Sequence, residues 1–394
     1  MKRKKILFIQ EFSMERMGGG VSIIKRLAEK AKDFNYDVKI ACDRSANQGF
    51  LSVLPDQSSF YTLPRNIRYG IGGLIARITL FSLDIFALRS LTRLIKKENP
   101  DVIHITAHGI CFPLMVKAAL LAKKKIVISV HDLWFFSVKS LISKKEADRM
   151  FSRLMQAAET IYVISGQMQE YLTEEYGKRN YQVVHDGMSD LAITHKQLLP
   201  GGIKLLYVGI LHGMQIELFN KLVETMGKFT NQQFTIGVCS SAEFRPLQQH
   251  PNIAMINYGW IPEDKIKEIS REYMYGLLPL SFDPGDELFY RTSLMTKIPF
   301  YTRVLLPVVC IGPSSASAIQ LIKKENTGLV AESGGAQDIA LLIKEVIEQT
   351  PPSYSQLVNN LKISAATTFN IERIAGLFYK HLLPEPKGKM VEAA

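Results

Sequence analysis

Short apolar runs of strand character alternate with stretches of helical periodicity along most of this chain, and the alternation runs through once and then starts again. KILFIQ reads as a buried strand and VSIIKRLAEKAKDF as the helix after it; DVKIACD, DVIHIT, KIVISVHD and TIYVIS read as further strands, with helical segments between most of them. Strands apolar on both faces and joined by helices specify a mostly parallel sheet covered on both sides. After YQVVHDGM a polar break, THKQLLPGG, interrupts the rhythm. KLLYVGIL, QIELFNKLVETMGKF, QFTIGVC, IAMINYGWI, EDKIKEISREY, YGLLPLSF, VLLPVVCIG and TGLVAE then repeat it. The sequence predicts an α/β protein of two Rossmann-like domains facing across a cleft, with the break near residues 190–202. Residues 1–195 form the first domain, 196–365 the second, and 366–394 a closing helix with a loose tail. A length of 394 residues agrees with two cores rather than one.

The formal net charge of +11 favours anionic partners, and the chain's basic residues are dispersed along helix-like segments such as RSLTRLIKKENPD. With no arginine-rich arm and no aromatic RNA-binding signature, nucleic acid is not the expected partner. Cys42, Cys111, Cys239 and Cys310 stand singly in apolar surroundings, which predicts reduced core thiols and neither a disulfide framework nor a zinc site. The basic MKRKK start is followed by the apolar run ILFI, too short for a signal peptide, so a cytoplasmic location is expected. The segment GIGGLIARITLFSLDIFALRSLTRLIKK is strongly apolar but interrupted by Arg77, Asp84 and Arg89. A spanning helix needs roughly 20 mostly uncharged residues. Two readings remain for it: a long helix packed on the first sheet, or a basic-ended helix in peripheral contact with an anionic membrane at its inner face.

Open parallel sheets bind ligands at the carboxyl ends of their strands. Gly18, Gly19 and Gly20 occupy the turn from the first strand into its helix, where a bare backbone lets an anion or sugar come close. Their spacing does not fit the dinucleotide fingerprint, because its third glycine would fall at Ile23. His131 and Asp132 end the strand KIVISVHD; the acid suits either an orienting partner for the imidazole or a cap for the next helical turn. Ser165 reads as a helix N-cap and Asp186 with Gly187 as a tight turn. In the second half, Arg291 and Lys297 flank Thr292, Ser293 and Thr296, a composition suited to gripping a diphosphate. A second polar turn holding Ser314 and Ser315 ends the strand VLLPVVCIG. Asp283 and Asp286 are explained by the turn around Pro284 and Gly285, and no metal site is expected.

In order and spacing, RMGGGVSIIKRLA, PDVIHITAHG, KIVISVHDLW, YVISGQMQEYL, VVHDGM, KLLYVGIL and TKIPFYTRVLLPVVCIGPSSA resemble the GT-B-fold glycosyltransferases of the large retaining family 4 type. FNIERIAGLFYKHLL looks like the terminal helix that in this fold crosses back onto the first domain. The resemblance implies a metal-independent transfer, with retention, from a nucleotide sugar to a polysaccharide or glycolipid acceptor, the nucleotide sugar being a substrate and no cofactor being needed. It implies that His131 contacts the donor sugar or the reacting centre, that Gly18 to Gly20 make room for the substrates, and that Lys297, with Arg291, Thr296, Ser314 and Ser315, offsets the leaving diphosphate. The chain also departs from the family pattern. Ile210 and the uncharged HGMQ stand where an arginine and a lysine are usual, and Thr292 and Phe300 stand where two glutamates are usual, the later of which binds the nucleotide ribose. A non-catalytic GT-B subunit supporting a partner enzyme is the alternative this suggests, and a nucleotide-sugar epimerase on the same fold is a third.

Overall fold

The structure, a computed structural model, describes residues 3–12, 19–43, 57–60, 74–211, 213–241 and 244–382. The chain divides into two compact units, Met1–Asp186 with Ile371–Ala394, and Gly187–Asn370. In the first unit the strands are β1 (Lys4–Gln10), β2 (Tyr36–Asp43), β3 (Gln57–Phe60), β4 (Val102–Thr106), β5 (Lys125–Val130), β6 (Thr160–Val163) and β7 (Tyr181–Val183). They form a parallel sheet in the order β3-β2-β1-β4-β5-β6-β7. Its helices are α1 (Gly19–Lys30), α2 (Leu74–Leu80), α3 (Ile85–Glu98), α4 (Phe112–Leu121), α5 (Phe135–Val138), α6 (Lys144–Met155) and α7 (Gly166–Tyr176).

The second unit repeats the plan. Its strands β8 (Ile203–Val208), β9 (Phe234–Cys239), β10 (Ile253–Asn257), β11 (Tyr275–Pro279), β12 (Val308–Ile311) and β13 (Gly328–Ala331) run parallel in the order β10-β9-β8-β11-β12-β13. Its helices are α8 (Gly213–Gly227), α9 (Glu263–Ser270), α10 (Pro284–Thr292), α11 (Lys297–Arg303), α12 (Ser317–Glu325), α13 (Ala336–Ile347) and α14 (Pro351–Ala366). Ile203, Leu205 and Tyr207 pack into one apolar layer and Leu206 into the other, so alternate residues of β8 serve opposite faces, as a doubly covered sheet requires. In both sheets the strand order reverses beside the first strand, β1 or β8, and the crevice outside the carboxyl ends at such a reversal is where this architecture takes ligands.

The last helix, α15 (Ile371–Leu382), belongs to the first unit. Tyr162 Oη donates to Phe378 O at 2.7 Å, Thr160 Oγ1 to His381 O at 2.9 Å, and Tyr379 Oη to Leu27 O at 2.6 Å. Phe378 stacks on Phe8 with ring centroids 6.0 Å apart.

Three readings of the sequence change. The units part at Asp186 and Gly187 rather than at residue 195, because the polar break is bound to the second unit. Ala192 N–H donates to Arg303 O at 2.9 Å, and the buried Lys196 ammonium donates to Ser270 O and Arg271 O at 2.6 and 3.0 Å. The apolar segment from Leu74 is two helices rather than one: Ser82 adopts a left-handed φ of 57°, Leu83 N–H closes on Ile78 O at 2.8 Å, and Asp84, seemingly an interruption, caps α3 by accepting Ala87 N–H at 2.9 Å. The short strands β3 and β7 were not anticipated; QSSF is polar and pairs only at the sheet's edge.

Ser165 caps α7, accepting Met168 N–H at 3.0 Å. Asp186 is a structural anion, buried and 2.5 Å from the Arg26 guanidinium of α1. Asp186→Ala should therefore lower stability by about 1–3 kcal/mol, the cost of orphaning a charged hydrogen-bond partner, read as a lower urea midpoint.

Candidate active site

In the second unit the site begins where β8 and β11 stop pairing. Their register holds for Tyr275 with Leu205 and Gly276 with Leu206. Beyond that, the Tyr301 hydroxyl takes over, accepting Val208 N–H at 3.2 Å and donating to Leu277 O at 2.9 Å. Tyr301 lies one helical turn after Lys297, so both side chains leave the same face of α11. The phenol anchors that face on the sheet, and the lysine is delivered to the carboxyl end of β8.

There the Lys297 ammonium donates to Tyr207 Oη at 2.7 Å and sits 4.3 Å from that ring's centroid. Tyr207 passes its own single proton to Ile210 O at 2.8 Å or Gln215 Oε1 at 3.0 Å, while Gln215 Nε2 donates to Pro279 O at 3.0 Å. Gly209, just after β8, has φ +104°, and a Cβ there would come within 3.0 Å of Lys297 Cε. The glycine thus supplies both a backbone turn and the space the lysine crosses. Among the described residues the ammonium's partner is a neutral phenol, with no carboxylate. Burial pushes its pKa down to about 7.

The other predicted donor residues lie nearby in the topology. Ser314 and Ser315 follow β12 and lead into α12, whose N-cap position is Ala316, a residue with no side chain to cap the first N–H groups. Ser317 Oγ donates to Arg291 O at 2.5 Å, tying the end of α10 to the start of α12. Thr296 is exposed at the start of α11 and makes no side-chain capping bond. Neither residue at a usual glutamate position offers a free polar group: Thr292 is buried with Oγ1 donating to Leu288 O at 2.8 Å, and Phe300 packs against the core. Asp283 caps α10 through Gly285 N–H at 2.7 Å. Among the described residues no group of three or more His, Cys, Asp or Glu side chains is placed to hold a metal ion.

In the first unit the structure brings Gly20 and His131 together: a Cβ on Gly20 would lie 2.8 Å from His131 Nδ1. Gly19 opens α1, whereas Gly18 lies outside the described residues. Burial, reinforced by the nearby His108, pushes the His131 pKa down to about 4, so the imidazole is neutral at physiological pH. Asp132 is partly buried beside it, two residues before Trp134, the N-cap position of α5. Glu11, unremarked in the sequence, accepts Cys111 N–H at 2.8 Å at the start of α4 and fills the space over Gly109. Trp134 Nε1 donates to Gly109 O at 2.7 Å, fixing the same turn. His104, by contrast, is a core residue, wholly buried with Nε2 2.6 Å from Ser129 Oγ.

Residues 17–190 match the model of Glycosyltransferase Family 4. Among solved structures, Anabaena HepE in complex with UDP-glucose is similar at 14% identity with a TM-score of 0.67, covering 96% of this chain and 99% of that one. A glycosyltransferase from Rickettsia africae is similar at 14% identity and TM-score 0.68, covering 98% and 100%. A putative UDP-N-acetylglucosamine 2-epimerase from Listeria monocytogenes is similar at 12% identity and TM-score 0.56, covering 95% and 94%. Among curated proteins none matches the chain in sequence. The chain has the GT-B fold and is similar to GT-B glycosyltransferases of the family 4 type.

A lysine whose folded pKa lies below its unfolded value of 10.5 makes the native state lose its proton first. Its burial as a cation opposes folding below about pH 7, and that cost fades as pH rises from there towards 10.5. Lys297→Met should accordingly raise the urea midpoint more at pH 6 than at pH 9; an equal effect at both would contradict the depressed pKa.

Proposed function

We propose that the protein is a glycosyltransferase whose second unit binds a nucleotide-sugar donor and whose first unit, through the Gly18–Gly20 turn, His131 and Asp132, handles sugar hydroxyls. The observation that carries this reading is Lys297: a cation set at the strand-order reversal with a neutral partner. Taking a charge out of water without a counterion is costly, and an arriving diphosphate removes that cost by restoring full protonation. The chemistry follows from the charge. The bond between the anomeric carbon and the phosphate oxygen breaks, with its electron pair staying on the phosphate. Lys297, assisted by Arg291, Thr296 and the N–H groups near Ser314 and Ser315, stabilises the charge that develops there. The acceptor hydroxyl oxygen forms the new bond from the same face, its proton passing to the departing phosphate, so the configuration is retained without a metal. The neutral His131 offers one donor and one acceptor to the sugar. The acceptor is a polysaccharide or glycolipid.

The competing reading, a non-catalytic subunit, draws on Thr292 and Phe300, neither of which offers a ribose a carboxylate. One titration separates the two. UDP, GDP, CDP and their sugar conjugates are screened for stabilisation, and the best ligand is titrated calorimetrically at pH 8 in buffers of different ionisation enthalpy. The glycosyltransferase reading expects tight binding accompanied by proton uptake, with Lys297→Ala weakening binding by about tenfold or more and abolishing the uptake. A folded protein that binds no nucleotide belongs to the non-catalytic reading.

A second prediction concerns the first unit. Gly20→Ala should displace the imidazole of His131 and lower kcat/KM for transfer by about tenfold or more. Nucleotide affinity should stay at the wild-type value, because the substitution lies in the other unit.

A further inference from the structure

The most exposed apolar side chains of the first unit cluster at the junction of α2 and α3. Phe86 is 77% exposed, Leu83 61% and Ile85 55%, with Phe81 and Ile78 beside them in sequence. The turn that displays them is built rather than frayed. Ser82 holds a left-handed backbone without being glycine, Asp84 caps α3, and Lys117 of α4 donates to Ser82 O at 3.3 Å. In a helix termination of this kind the residue after the left-handed position commonly packs back on the helix. Here that residue is Leu83, and it points to solvent instead. One turn beyond Lys117 on the same helix, Leu120 and Leu121 are also exposed.

Charge continues the pattern along α3. After Ile85 and Phe86, its exposed positions carry Arg89, Arg93, Lys96 and Lys97. The acids at the two ends of this helix are otherwise engaged: Asp84 is the N-cap, and Glu98 is bonded to Lys5 at 2.7 Å and lies 3.7 Å from Lys39. The surface therefore has an apolar tip and a cationic flank. Among the described residues no helix is long and apolar enough to cross a membrane.

We propose that this surface docks the protein on an anionic lipid bilayer, Phe81, Leu83, Ile85 and Phe86 entering the headgroup boundary while Arg89, Arg93, Lys96 and Lys97 lie against lipid phosphates. Bilayer interfaces take both parts at once, apolar side chains reaching about 5–10 Å into the acyl boundary and cations remaining at the charged surface. A second copy of the chain is a poorer occupant, because a twofold contact lays the patch on itself and sets four like charges against their counterparts. The proposal is independent of the nucleotide-sugar reading, since none of these residues belongs to the donor site.

The test is flotation of the full chain with phosphatidylglycerol–phosphatidylcholine vesicles and with phosphatidylcholine alone, at low and high salt. Leu83→Ser/Phe86→Ser and Arg89→Gln/Arg93→Gln are run alongside, with the urea midpoint as the check that each is folded. The wild type should float with the anionic vesicles, and the apolar pair should cut the bound fraction by about tenfold or more. The charge pair should weaken binding at low salt and flatten its salt dependence. Failure of the folded wild type to float at low salt overturns the proposal, as does equal binding by the Leu83→Ser/Phe86→Ser variant. A sedimentation-detected dimer that this variant dissolves, with no lipid binding, assigns the patch to a second copy and overturns it equally.

Discussion

One hydroxyl group, that of Tyr301, stands between β8 and β11 where their backbone ladder gives out. By accepting from one strand and donating to the other it satisfies both polar groups while letting the strands separate at their carboxyl ends. The same contact fixes α11, and α11 carries Lys297. A buried phenol that can both accept and donate is the rare side chain able to do this; phenylalanine would leave a buried N–H and a buried C=O unpaired. The geometry of the proposed donor site is thus set from below, by the sheet, rather than by the loops around it.

The departures at Ile210 and Gln215 form a coherent local set. Ile210 contributes its carbonyl to Tyr207, and Gln215, the last residue of HGMQ, is buried between Tyr207 and Pro279 O. Where charged side chains are usual, this chain has built a neutral hydrogen-bonded frame around one lysine. Low local dielectric strengthens such a frame and also makes the lysine's charge conditional on what lies near it.

Sequence reading recovered most of the architecture because long parallel strands buried on both faces leave an apolar signature that survives without homologues. It missed β3, whose QSSF carries no such signature, and it split the units at the polar break because composition cannot report that Lys196 is sunk among backbone carbonyls. As proposed site residues, His131 and Lys297 are legible from their places at strand and helix ends. Tyr207, Gln215, Tyr301 and Glu11 were not. A tyrosine in a strand and a glutamine in a helix look ordinary until the fold brings them within hydrogen-bonding distance. One signal was available: Lys297 and Tyr301 are spaced to share a helix face.

The placement of α15 makes the second unit an insertion within the first. The chain leaves the first unit after Asp186 and re-enters it at Ile371, and the two crossings lie side by side, Met188 N–H donating to Phe369 O at 2.7 Å. During synthesis the part made first is therefore the part finished last. Residues 187–370 are contiguous and can reach their native contacts while the ribosome is still at work. The amino-terminal sheet, by contrast, must wait for Phe378 and Tyr379 to emerge before Phe8, Tyr162 and the Leu27 carbonyl gain their partners. Loss of the last dozen helical residues would leave the earliest-made half of the protein incomplete.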